Sequence, residues 1–136
     1  MTTIRRFDLD NQGLARVLGE LEAKILEGVW ELGQPTVKDM TAWLGPDVHA
    51  KTIMTVMNRM VEKRLLTRKL RGRHFVYAAV LDRESFLRQV ASQVLSGLLA
   101  DFESPTIAHF VEGATPEQLA ELERLIAARR TRPEES

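Results

Sequence analysis

Apolar residues recur along this chain in two rhythms, one suited to helices and one to a short pair of strands. In GELEAKILEGVWEL, Leu21, Ile25, Val29 and Leu32 return at the spacing of one helical face. Glu20 and Glu22 stand where the helix dipole favours anions, and Gly33 supplies a left-handed stop. A second, shorter helix is predicted over TVKDMTAWLG, where Thr36 and Asp39 form a capping arrangement and Val37, Met40, Trp43 and Leu44 give an apolar face. Gly45-Pro46 is a stop signal, after which Asp47 is placed to cap a third helix. That third helix, HAKTIMTVMNRMVEKRLL, turns Ile53, Val56, Met57, Met60 and Val61 inward. Its outward side carries Lys51, Thr52, Thr55, Asn58, Arg59, Glu62 and Lys63, and its first two turns contain no acid.

The rhythm then shortens. In TRKLRGRHFVYAAV, Arg71-Gly72-Arg73 lies between two β-favouring segments and reads as the tip of a hairpin. From Asp82 the helical period returns, with Phe86, Leu87, Val90, Val94, Leu98, Leu99 and Phe102 on one broad stripe. Ser104-Pro105 predicts the start of a short helix closed by Gly113, and carrying Ile107 and Phe110. Thr115-Pro116-Glu117-Gln118 opens a final helix marked by Leu119, Leu122, Leu125 and Ile126. Residues 1–18 show no stable period and read as a loose arm.

This order predicts a mainly α fold with a small β-hairpin wing. Residues 1–81 form a winged helix-turn-helix domain, and residues 82–136 a helical dimerisation domain. The C-terminal helices carry more apolar surface than so short a hairpin of helices can bury, and a second copy of the same segment is the simplest missing layer. Phe86, Leu87, Val90, Val94, Leu98, Phe102, Ile107, Phe110, Leu122 and Ile126 are the residues expected in that interface.

Composition narrows the chemistry. The chain has 136 residues, 44% hydrophobic and 28% charged, which suits a soluble globular protein. It holds no apolar run long enough to span a membrane, and no apolar stretch follows the N-terminal arginines, so a cytoplasmic protein without membrane insertion is expected. No cysteine is present, which removes disulfides, thiol catalysis and thiolate metal sites. His49, His74 and His109 are widely separated and Asp8 and Asp10 have no partner base, so neither metal, cofactor nor enzymatic activity is expected.

The formal net charge is zero, but it is unevenly divided. Between His49 and His74 lie eight cations (Lys51, Arg59, Lys63, Arg64, Arg68, Lys69, Arg71 and Arg73) against the single acid Glu62. Such a block is the footprint of a surface that meets a polyanion. On the third helix, Thr52 and Thr55 are placed to reach base edges and thymine methyls, with Asn58 on the same side. Lys51 and Arg59 suit phosphates or guanine edges, and Arg71 and Arg73 at the hairpin tip suit a phosphate or a minor groove. Trp30, Trp43, Phe75 and Tyr77 read as core residues rather than stacking platforms. A winged helix also serves as a protein-interaction module, which remains an alternative; such a module would expose an apolar patch where this chain places cations.

LGELEAKILEGVW, KTIMTVMNRMVEK, GRHFVYAAV and SPTIAHFVEG, taken in order and at this spacing, resemble the penicillinase-repressor family of BlaI, MecI and CopY type. The resemblance implies a homodimer on a palindromic operator in double-stranded DNA. It also implies release when a membrane sensor, or a protease it activates, cuts the dimerisation segment. The bond matching the family's cleavage site is His109-Phe110, where other members have asparagine before phenylalanine. The cysteine cluster of the copper-responsive branch is absent.

Overall fold

The computed structural model describes residues 6–132. A one-turn 3₁₀ helix at Gly13–Arg16 leads into α1 (Glu20–Leu32), α2 (Val37–Leu44) and α3 (Ala50–Glu62). An antiparallel hairpin, β1 (Leu66–Arg71) and β2 (His74–Ala79), precedes α4 (Arg83–Gly113) and α5 (Pro116–Thr131). Three helices followed by a hairpin make a winged helix, and a helical part follows it. The chain divides into two compact units, one ending at Val94 and the other beginning at Leu95.

The core of the first unit joins all three helices to the hairpin and to the start of α4. Ile25, Met40, Ile53, Met57 and Met60 are fully enclosed, with Leu66 and Tyr77 from the hairpin nearly so. Burying side chains of this size stabilises the fold by about 1.5–3 kcal/mol each. The predicted α1 stripe is buried at Ile25 and Val29 and widens to Leu26, whereas Leu32 at the end of the helix is 42% exposed. Helices α1 and α2 meet at Gly28, where a Cβ would lie 2.8 Å from Trp43 Cε3 and 2.9 Å from Met40 Sδ. Glycine is needed there for close approach rather than for its dihedral freedom.

Residues 6–18 correct the expectation of a loose arm. Leu14, Val17 and Leu18 are buried in the core, the Asp8 N–H donates to the Arg16 carbonyl (2.6 Å), and Arg16 reaches the Leu9 carbonyl (3.2 Å). One turn of 3₁₀ helix is too short to show a period, so its apolar residues leave no helical signature. Residues 1–5 of the predicted arm lie outside the described residues.

The ends of α2 and α3 show how the local sequence sets the helices. Thr36 and Asp39 form the predicted capping box: the Asp39 N–H donates to Thr36 Oγ1 (3.1 Å) and the Thr36 N–H to Asp39 Oδ2 (3.0 Å). That Thr36 N–H holds the Asp39 carboxyl below its ordinary 3.8. Helix α3 is capped by His49 rather than Asp47, because His49 Nδ1 accepts from the Lys51 N–H at 3.2 Å. Its other end closes without glycine. Arg64 takes a left-handed φ of 64°, its N–H donates to the Val61 carbonyl, and the Leu65 N–H reaches back to Met60 (2.9 Å). This double bond pattern is a Schellman closure, with buried Leu65 and Met60 as its apolar pair.

The hairpin pairs Arg71 with His74, leaving Gly72 and Arg73 as the turn. Gly72 has φ 66°, as a II′ turn requires at its first central position. The Tyr77 N–H donates to the carbonyl of buried Pro35 (2.9 Å), tying β2 to the α1–α2 connection. After β2, Asp82 accepts from the Ser85 N–H (2.7 Å) to start α4, and Trp30 Nε1 donates to the Leu81 carbonyl (2.9 Å). Phe86 then packs against Trp30 with ring centroids 5.8 Å apart and is 3% exposed. Packing of this kind carries the first unit beyond residue 81, since Val90 also rests against its core.

In the second unit α4 breaks at Phe102 (φ −137°, ψ 47°). Pro105 has no N–H to return to the carbonyl four residues earlier, so the helix cannot run through unbroken. The sequence predicts that break at Ser104; it falls slightly earlier. Helix α5 opens with the predicted box, Gln118 N–H to Thr115 Oγ1 (3.1 Å) and Thr115 N–H to Gln118 Oε1 (2.9 Å). None of its residues is buried.

Candidate nucleic-acid interface

Helix α3 presents one cationic, hydroxyl-bearing side to solvent. Lys51, Thr52, Thr55 and Arg59 are all exposed there, and their spacing keeps them on neighbouring turns of the same side. Thr55 Oγ1 donates to the Lys51 carbonyl (2.9 Å), which turns the hydroxyl back on the helix and fixes the side chain's rotamer. Among the α-helices of the described residues, α3 is alone in having no acid in its first turn. Its N-terminal dipole therefore faces outward without a local counter-charge.

The cations of the first unit divide into two kinds. Lys63 pairs with Glu22 (2.9 Å), Arg83 with Glu27 and Arg88 with Glu84 (3.0 Å). Lys51, Arg59, Lys69, Arg71 and Arg73 are exposed and form no ion pair with any described residue. Arg6, Arg16, Lys24 and Lys38 likewise form no ion pair with a described residue. On α3 and the hairpin, however, such cations follow one another closely with Glu62 as the one acid among them, so their field is directed to whatever approaches that side. Met54, Leu70 and Phe75 are exposed among them, at 44%, 61% and 41%.

Asn58 is the site residue whose placement differs from expectation. It is half-buried, and its Oδ1 accepts from the Tyr77 hydroxyl (2.8 Å) and from Arg68 (3.0 Å). The side chain thus faces the hairpin instead of standing beside Thr55. Phe75 departs as well: it is exposed and lies beneath the Arg68 guanidinium, 4.3 Å from ring centroid to cation. Trp43 is 38% exposed, with Nε1 donating to Glu31 Oε2 (2.6 Å), whereas Trp30 and Tyr77 do belong to the core. Met54 has no place in the sequence-based site, and Arg68 enters it merely as one cation of the basic block, without a role of its own. Alternation along β1 places Arg68 on the same face as buried Leu66 and directly across from Tyr77, and that was the signal available.

The residues expected in an interface between copies also separate. Phe86 is enclosed in the first unit's core and cannot serve as a contact surface; Val90 packs against that core. Val94 and Leu122 are half-buried. Leu87, Leu98, Phe102, Ile107, Phe110 and Ile126 are 43–58% exposed. His109 and Phe110, the residues flanking the bond expected to be cut, are both exposed and lie within helical backbone of α4. Among the described residues there is no cluster of metal-ligating side chains, and no helix is long and apolar enough to cross a membrane.

Three helices and a basic-tipped hairpin, with exposed Lys51 and Arg59 on the third helix, define a winged-helix protein, and the family it matches makes it a transcriptional regulator. Residues 18–128 match the penicillinase repressor family, and the chain belongs to that family. No curated protein matches the chain in sequence. A similar solved structure is the YusO protein from Bacillus subtilis, 15% identical, covering 84% of this chain and 75% of that one at a TM-score of 0.43.

Proposed function

We propose that this regulator is a cytoplasmic homodimeric repressor that binds a palindromic operator in double-stranded DNA. Residues 1–81 act as the reader and residues 82–136 as the dimerising segment. Helix α3 lies in the major groove, where Thr52 and Thr55 meet base edges and methyl groups and Lys51 and Arg59 meet phosphates or guanine. Arg71 and Arg73 at the hairpin turn meet the flanking backbone or minor groove. The observation that carries this reading is the run of exposed, ion-pair-free cations on α3 and the hairpin, with Glu62 as the one acid between His49 and His74.

One reader of this size makes few contacts. Joining two readers through the exposed apolar faces of the second unit makes the second binding event intramolecular, and twofold symmetry then calls for a palindrome. Release follows from cutting His109-Phe110, by a membrane sensor or a protease it activates. A protease cleft takes an extended chain, so this helical turn must unwind first, and its exposed position makes that local opening inexpensive. Cleavage removes part of the apolar face without touching the reader.

Sequencing of duplex fragments retained by the purified protein, followed by gel shifts on the enriched site, tests the reading. A palindrome should emerge, Arg59→Gln should weaken binding by about tenfold or more with no change in thermal midpoint, and the chain cut after His109 should bind less tightly at equal concentration. Indifference to every duplex would favour a protein-interaction module. Equal affinities of intact and cut protein would refute release by cleavage.

A further inference from the structure

On the hairpin, Arg68 is held by both a side-chain amide and an aromatic ring. It sits on β1 directly across from Tyr77, with Phe75 two residues nearer the turn on the same face of the hairpin. Its guanidinium carbon lies over the Phe75 ring, 4.3 Å from the centroid, while one of its nitrogens donates to Asn58 Oδ1 at 3.0 Å. The same oxygen accepts from the Tyr77 hydroxyl at 2.8 Å, which fixes the Asn58 side chain from the core side. The guanidinium is therefore fixed along one edge by an amide of α3 and across one face by an aromatic ring of β2. Both holders are neutral, so the positive charge is oriented without being neutralised. Lys63, by contrast, gives its charge to Glu22. A guanidinium has five N–H donors, and one of them is engaged with Asn58, which leaves a planar fork open at an exposed position between recognition helix and wing.

Resting on the DNA-binding reading above, we propose that Arg68 is a preorganised ligand for a backbone phosphate of the strand bordering the groove that α3 enters. Asn58 and Phe75 are positioning residues that hold it rather than contacts to bases. A phosphodiester matches the open fork because two of its oxygens accept in one plane. Fixing the arginine before DNA arrives removes the loss of rotamer freedom that a loose side chain incurs on binding. The arrangement also ties the angle of the wing to α3, since Asn58 joins β1 and β2 to the helix through one oxygen.

The test uses the intact chain and a fluorescent duplex of random sequence, about 30 base pairs long, titrated between about 50 and 200 mM salt. Arg68→Gln should weaken binding and make the slope of log affinity against log salt shallower by about 0.9 for each protomer. Arg68→Lys should keep the wild-type slope, since the charge remains, yet bind more weakly because the fork and the stacking are lost. Asn58→Ala should weaken binding by about threefold to tenfold with the slope unchanged, the signature of positioning rather than contact. Phe75→Leu, at an exposed position, should do the same and covers the case in which the Asn58 variant folds poorly. A wild-type slope for Arg68→Gln would overturn the assignment of Arg68, and wild-type affinity for Phe75→Leu would overturn its preorganisation. If the unmodified protein ignores the duplex, the DNA-binding reading itself fails and this proposal with it.

Discussion

The two units of this chain use the same kind of apolar helical stripe and reach opposite outcomes. In the first, Ile25, Met40, Ile53, Met57 and Met60 have no exposed surface, because α1, α2, α3 and the hairpin close around them. In the second, Leu95, Leu98, Phe102, Ile107, Phe110, Leu125 and Ile126 are 43–58% exposed, and α5 buries nothing. A stripe of leucines thus states a requirement for cover and does not say who supplies it. The first unit meets that requirement within one chain. The second does not, and on the proposed reading a second copy meets it.

Substitutions should separate the two units sharply. Met57→Ala should have the largest effect, a loss of about 3 kcal/mol in urea unfolding followed by the fluorescence of Trp30 and Trp43, which both belong to the first unit. Phe110→Ala should leave that fluorescence transition almost unmoved and instead weaken self-association by about tenfold, read by sedimentation. A loss of reader stability from this change would break the contrast. Thr36→Ala removes a helix cap and should cost about 1 kcal/mol in the same urea experiment.

The smallest effect concerns pH. Backbone N–H donors hold Asp8, Asp39 and Asp82 below the ordinary 3.8: those of Asp10, Thr36 and Ser85 respectively. A depressed carboxyl binds fewer protons folded than unfolded. Its contribution is complete above the ordinary value and is lost as pH falls through the lowered one. The thermal midpoint of the first unit should therefore drop below about pH 4, and Asp39→Asn should flatten that acid limb by lowering the midpoint slightly near neutrality while leaving it little changed at the acid end.

Local rules made much of this molecule legible in its sequence. The Thr36 and Thr115 boxes, the Gly72 turn and the stripe of α3 each depend on neighbours a few residues away. Features that rest on distant partners were hidden. Asn58 has the residue type and helical position of a base reader, yet its oxygen is held by a hydroxyl 19 residues further on. Phe86 continues the stripe of α4 without a break, and its contact with Trp30 shows that it belongs to the first compact unit. Leu14, Val17 and Leu18 occupy too short a turn to display a period, and Arg64 closes α3 in a conformation where glycine is the usual clue.

Sedimentation equilibrium of the intact chain at micromolar concentration tests the central claim most directly. The account predicts twice the mass of one chain, reduced toward a single mass when Leu98 is replaced by lysine. A monomer in the unmodified protein, with the apolar faces of the second unit still in water, would contradict it.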